Sequence, residues 1–251
     1  MPVIRKFKLV LEYDGSEFSG WQTQSPNFRT IQSHLEDNLQ KIFKSKIHAH
    51  ASGRTDSGVH AEGQVVHFKV ETDIKPELIH KALNAFLDKD LSVVDVSEAP
   101  LSFHAQNSVK AKTYCYTILN RPNPSALWRK RAYYYPHPLD IRRMRKAAGF
   151  IKGTHDFKSF QSASEGAKRL RTTVRTVSRL SIAKQGDLIH ITITADGFLY
   201  RMVRNIVGAL IAVGSKKIEP KDLLHLLEAK ERIAAPKTAP SWGLCLMSVR
   251  Y

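Results

Sequence analysis

Asp56 stands in the string Gly53-Arg54-Thr55-Asp56-Ser57-Gly58-Val59-His60-Ala61, a lone carboxylate with a glycine on either side. Gly accepts backbone angles and close approaches that other residues resist. A loop built this way can push Asp56 into a pocket that a ligand can reach, which makes it the leading candidate for a catalytic carboxylate. Asp, Ser and Gly are also default turn residues, and Asp-Ser-Gly alone favours an ordinary turn. Arg54, two residues earlier, is placed to bind a phosphate or to brace the loop. His60 suits a hydrogen-bonding role in orienting it, since no nucleophile–His–acid constellation accompanies it.

Arg204 is the second candidate. It lies in a stretch that is apolar almost all round: Met202, Val203, Ile206, Val207, Leu210, Ile211 and Val213. Such a helix is normally buried. Arg201, Arg204, Asn205 and Gly208 recur at i, i+3, i+4 and i+7, one polar stripe on that helix. A buried guanidinium needs a carboxylate, because an unpaired buried charge is very costly. Asp56 is one partner; Asp196 and Asp222 are structural alternatives. Pairing with Arg204 would keep Asp56 ionised and aimed, as a nucleophile or base requires.

Tyr114 is the third. It begins a strand inside an aromatic and basic segment, Lys110, Lys112, Tyr114 and Tyr116. Its ring could stack on a flat ligand or simply pack in the core. Other basic residues cluster at Trp128-Arg129-Lys130-Arg131, Arg142-Arg143, Arg145-Lys146, Lys168-Arg169-Leu170-Arg171 and Lys216-Lys217. Each alone is an ordinary solvated face. Together they suit a long phosphate backbone, with Arg169 and Arg171 in a loop from Ser162 to Thr173 expected to be mobile.

The elements that must position these residues follow from periodicity. Phe7 to Tyr13 alternates as a strand and ends at Asp14-Gly15. Ile31, Leu35, Leu39, Ile42 and Phe43 predict a helix capped by Thr30. Gln64 to Val70 reads as a strand, and Pro76 opens a helix with Ile79, Leu83, Phe86 and Leu87. A strand from Leu91 to Val96 completes a β-α-β-α-β half. The second half has strands at Tyr114–Leu119, Arg175–Ile182 and Leu188–Ala195, and a last one at Leu244–Tyr251. Its helices are capped by Asp140, run from about Tyr200 to Val213, and open at Pro220. The expectation is an α+β protein with halves at 1–105 and 106–251, each ferredoxin-like with a largely antiparallel sheet, meeting at a central cleft.

The chain has 251 residues and a formal net charge of +16, which points to an anionic partner. Nucleic acid fits better than membrane. The longest apolar run, Ile206 to Val213, is far short of a spanning helix, and Met1 to Lys6 has no signal-peptide core. Cys115 and Cys245 make neither a zinc site nor a disulfide framework. The histidines lack metal-ligand spacing. A reduced, cytoplasmic protein with no metal or cofactor is expected.

Four ordered segments resemble the tRNA pseudouridine synthase A family. Gly53 to Ala61 resembles its active-site motif. Phe103-His104-Ala105 with Lys112-Thr113-Tyr114-Cys115-Tyr116 resembles its second, and Gly197 to Gly208 its third. Ala235-Pro236 with Gly243-Leu244 resembles its C-terminal signature. Glu12 to Ser16 and Gly20-Trp21-Gln22 are similar as well. The resemblance implies isomerisation of uridine to pseudouridine at tRNA nucleotides 38 to 40, in the anticodon stem-loop. It implies Asp56 as the reacting carboxylate, Arg204 as its partner, and Tyr114 rather than Tyr116 at the substrate. It implies a homodimer holding one tRNA. From the residues themselves, Arg54 could wedge into the space a flipped base leaves as well as bind a phosphate or brace the loop, and Arg201, Lys112, Arg169 and Arg171 are candidate RNA contacts. One departure stands out: where the family continues Arg-Phe after Ala105, this chain has Gln106-Asn107. Two rivals remain, a non-catalytic RNA-binding protein with tandem RNA-recognition-like halves, and a hydrolase that uses Asp56 to activate water.

Overall fold

The computed structural model describes residues 3–25, 27–163, 172–230 and 236–251. In chain order the described elements begin with β1 (Val3–Tyr13), α1 (Ile31–Phe43), β2 (His50–Ala51), β3 (His60–Thr72), α2 (Pro76–Phe86) and β4 (Leu91–Ala99). There follow β5 (Ala111–Leu119), β6 (Tyr133–Tyr134), α3 (Ile141–Ile151), β7 (Gly153–Asp156), β8 (Val174–Gln185) and β9 (Leu188–Ala195). The chain closes with α4 (Met202–Gly214), α5 (Asp222–Ala229) and β10 (Leu244–Arg250). It forms two compact units, one of residues up to 110 together with 245–251, the other of 111–244. A division by sequence order at 105 and 106 places the last strand in the second half. Its main-chain pairing with β3 places it in the first.

The first unit orders its strands β4-β1-β3-β10, with β2 added to β3. β1 runs antiparallel to both β3 and β4, and β10 runs parallel to β3. Phe7, Leu9, Leu11 and Tyr13 alternate into the core, as the two-residue period of a strand dictates. Phe68 of β3 stacks on Phe7 and meets Phe43 of α1 at 5.8 Å between ring centroids, so α1 covers that face. Thr30 caps α1 by accepting from the Ser33 N–H. α2 begins at Pro76 as expected and buries Ile79 and Leu83, but Phe86 is exposed and Leu87 is the capping residue, so the apolar stripe is shorter than its sequence suggests. Asn84 takes over there: its side chain bonds both the N–H and the C=O of Val93 on β4.

The second unit is a largely antiparallel sheet, β5-β9-β8-β7, with β6 parallel to β5. α3 starts at Asp140, whose carboxylate accepts from the Arg143 N–H, and buries Met144, Ala147, Ala148 and Ile151. Apart from Arg204, every residue of α4 from Met202 to Gly214 is buried. Both units are therefore α+β. β2, β6 and β7 are short pairings without a periodic signal of their own. No helix among the described residues is long and apolar enough to cross a membrane.

Candidate active site

In the first unit the Asp56 loop is clamped from beneath by a buried polar chain. Ser52 Oγ donates to Gln64 Oε1 at 2.7 Å, and Gln64 Nε2 donates to the Gly53 carbonyl at 2.9 Å. Gln64 also reaches Tyr13 Oη at 3.4 Å, and Tyr13 Oη lies 2.9 Å from Thr55 Oγ1. Gln64 is fully buried on β3 and Tyr13 nearly so on β1. Burial raises the Tyr13 phenol to about 12, so it stays protonated and can donate. Buried networks hold firmly when each member is satisfied, and this one fixes both sides of the loop's first half.

From above, the segment after β1 grips the same loop. Trp21 N–H donates to the Thr55 carbonyl at 3.0 Å, and Ser57 Oγ and Gly58 N–H both donate to the Phe18 carbonyl. Gly20 sits at φ 90°, where a Cβ would meet Thr55 O at 2.7 Å. Only Gly allows that approach. Val59 N–H closes a turn onto the Asp56 carbonyl, with Gly58 at φ 77°. His60 orients the entry to β3: its Nδ1 accepts from Gly15 N–H at 3.1 Å and lies 3.2 Å from Asp14 Oδ1. Arg29 lies over the Phe18 ring at 3.9 Å while bridging Asp88 and Asp90, so the gripping segment is itself tied down. The result is a half-buried Asp56 on a fixed backbone, with Arg54 exposed beside it.

In the second unit Arg204 Nε donates to the Ala239 carbonyl at 2.8 Å, and Ala239 N–H returns a bond to the Arg204 carbonyl. One turn along, Gly208 packs directly against the Lys237 carbonyl, with no room for a Cβ. Asn205 is fully buried; its Nδ2 donates to Phe160 O at 2.7 Å, and its Oδ1 accepts from Thr238 Oγ1 at 2.6 Å. The segment 236–240 is thus fastened to α4, and the plane of the Arg204 fork is set by it. Asp196 accepts from the Thr176 N–H on β8, and Asp222 from the Glu219 N–H beside it, so each braces nearby backbone.

Arg201 departs from the expected stripe. It precedes α4 in the left-handed region at φ 58°, is exposed, and lies over the Tyr200 ring at 4.9 Å. The 3.6-residue period fails there because the helix has not yet begun. Tyr114 is buried on β5 with the Phe198 ring edge-on at 5.1 Å, and Tyr116, on the same face, bonds the Pro240 carbonyl. Lys112, two residues before Tyr114, is pushed down to about 8, first by burial and then by Arg175. Arg169 and Arg171, Ala235, and the centre of the loop expected to be mobile lie outside the described residues. Among the described residues no group of three or more His, Cys, Asp or Glu is placed to hold a metal ion.

Gln64 was not singled out by sequence as part of a site, and Tyr13, Gly20 and Asn205 entered only as members of longer segments. Gln64 carried a signal, being a polar residue directly before the apolar pair Val65 and Val66 of β3.

A family model described as tRNA pseudouridine synthase matches residues 9–106 and 147–251. The chain is similar to a protein of Caldicellulosiruptor bescii named tRNA pseudouridine synthase A, 43% identical over 99% of this chain and 100% of that protein. A protein of the same name from Thermotoga neapolitana is 44% identical over 99% of this chain and 100% of its own length. One from a Geobacillus species is 44% identical over 98% of each.

Proposed function

This chain belongs to the tRNA pseudouridine synthase family, and we propose that it isomerises uridine to pseudouridine in tRNA through the Asp56 carboxylate. The observation that carries the reading is the double clamp on the Asp56 loop, from Tyr13 and Gln64 below and from Gly20 and Trp21 above. A catalytic group must be held in productive geometry by its supports, and an ordinary surface turn needs no such support.

In the reaction the N1–C1′ bond breaks, the freed uracil rotates, and C5 bonds to C1′. The C5 proton leaves to solvent and N1 gains one, so no oxidant, reductant or group donor is required. Asp56 acts on the nucleotide directly, either by attack or by taking a sugar proton. Arg204 is proposed as its ion-pair partner, keeping the carboxylate charged and oriented. Support comes from the Nε bond to Ala239, which aims the guanidinium, and from the backbone roles of Asp196 and Asp222. Tyr114 is proposed to contact the displaced base, and Arg54 to fill its place in the stack. Lys112, Arg201, Arg169 and Arg171 are proposed to contact the RNA backbone. The target nucleotides are proposed to be 38 to 40, and the working form a cytoplasmic homodimer; the family resemblance supports the nucleotides and the dimer, and the two isolated cysteines support a reducing cytoplasm. With Gln106-Asn107, a charged contact that the resemblance places on an Arg must be absent or supplied by another residue.

The test uses tRNA transcripts with tritium at uracil C5, comparing wild type with Asp56→Asn. Release of tritium to water by wild type, abolished in the variant while tRNA binding persists, is expected. Binding without release from any transcript would leave a non-catalytic RNA-binding protein. Release of free uracil would make it a hydrolase.

A further inference from the structure

The second unit contains a cavity of about 370 Å³ beside α4, lined by Tyr133, Tyr135, Trp242, Lys217, Lys237 and, as its floor, Ile211 of α4, among others. That volume is at the lower end of small-ligand sites, roughly 300–1,000 Å³. Its chemistry is specific. Tyr133 and Tyr135 point to the same side of β6 and its continuation, with ring centroids 6.0 Å apart and planes at 61°. Trp242 stands at a turn closed by Leu244 N–H on the Ser241 carbonyl and is 42% exposed. Both lysines are exposed, and among the described residues no carboxylate lines the cavity.

Three aromatic rings with two ammonium groups suit a flat base that carries a phosphate. Unpaired bases are recognised by stacking on such rings, with phosphates on nearby cations. We propose that it seats one unpaired tRNA nucleotide, other than the uridine that reacts, with its base against Tyr133, Tyr135 or Trp242 and its phosphate on Lys217 or Lys237. This rests on tRNA being the substrate. The segment 236–240 gives the site a further meaning. It lines the cavity and also holds Arg204 Nε, Asn205 Oδ1 and Gly208. A base seated there leans on the strap that aims Arg204.

The experiment crosslinks Asp56→Asn protein to an unmodified tRNA transcript with ultraviolet light and maps the joined peptides by mass spectrometry. Crosslinks from Tyr133, Tyr135 or Trp242 to a single nucleotide distinct from the isomerised uridine are expected. Binding is then measured across a salt series. Tyr135→Ala is expected to weaken tRNA binding roughly ten-fold with the salt slope unchanged, because a stack is lost and not an ion contact. Lys217→Ala or Lys237→Ala should reduce the slope by about one. Trp242→Phe, which keeps a ring, should bind within about two-fold of wild type and guards against misreading a folding defect. Absence of these crosslinks, with affinity and slope unmoved in every variant, would overturn the proposal. So would a change in sedimentation of the RNA-free variants, which would make the cavity a contact between copies of the chain. Wild type that crosslinks here yet releases no tritium would sink the isomerase reading and leave the nucleotide site standing.

Discussion

Tyr13 Oη and Thr55 Oγ1, 42 residues apart in sequence, are joined by a buried hydrogen bond of 2.9 Å. The bond ties the end of β1 to the residue before Asp56. Tyr13→Phe removes the hydroxyl and leaves Thr55 and one Gln64 N–H short of a partner. An unsatisfied buried group costs about 1–3 kcal/mol. The variant is expected to lose stability of that order in urea denaturation. It should also isomerise more slowly at saturating tRNA, with Kd for tRNA held within about two-fold. Wild-type turnover would show that the clamp does not position Asp56.

Gly20→Ala is the sharper probe of the upper grip. A methyl at φ 90° would be strained and would stand 2.7 Å from Thr55 O. Strain of this kind costs about 1–3 kcal/mol. The loop must shift, so tritium release should fall by more than the loss of stability accounts for. A variant that melts lower but turns over normally would contradict the assignment of Gly20 as a positioning residue.

Arg204→Lys keeps the charge and loses the fork. An ammonium cannot hold the Ala239 carbonyl through Nε and present further donors in one plane. Turnover is expected to drop on the order of 100-fold, with circular dichroism unchanged. Turnover within about three-fold of wild type would remove Arg204 as the partner of Asp56.

Lys112 offers a pH test. Its ammonium is lowered to about 8 in the free protein, and a phosphate seated on it would raise that value again. RNA binding would then take up a proton above pH 8. Affinity should fall as pH rises from about 8, and Lys112→Arg, which stays charged, should flatten the fall. Equal pH profiles for wild type and variant would exclude a phosphate contact by Lys112.

His67 gives a test of stability in acid. It is buried between the rings of His50 and His104, and its Nδ1 accepts from Ala105 N–H. Burial, with these rings and Lys6 adding to it, pushes its value down to about 4. The unfolded chain therefore binds a proton below about 6.5 that the folded one refuses until about 4. Stability should fall by a few kcal/mol as pH drops through that window. His67→Asn, which keeps an acceptor for Ala105, should lose most of the slope. A wild-type denaturation midpoint that is flat from pH 7 to 5 would refute this.

Local signals were legible where the physics is local. Thr30 before Ile31 and Asp140 before Ile141 announce helices because a cap and a 3.6-residue stripe need only neighbours in sequence. The glycines around Asp56 marked the loop for the same reason. The clamp on that loop was hidden. Gln64 meets Tyr13 only because β1 and β3 pair in one register, and periodicity does not fix the register of distant strands. Arg201 fell outside its stripe because a left-handed residue before a helix leaves no mark on side-chain spacing. Phe86 was assigned to the core by its type, whereas α2 is covered at that end by Asn84 bonding to β4.

The parallel pairing of β10 with β3 has a consequence for biosynthesis. Cys245 and Leu246 lie beside His60 and Ala61, the residues that lead out of the Asp56 loop. Between them in the chain come the roughly 130 residues of the second unit. At translation rates of about 5–20 residues per second, β3 waits on the order of ten seconds for its last neighbour. During that interval the nascent first unit presents an open sheet edge next to the Asp56 loop, and a chain cut short within the second unit cannot close it. The first unit's sheet is therefore completed only after the residues of the second unit have been made.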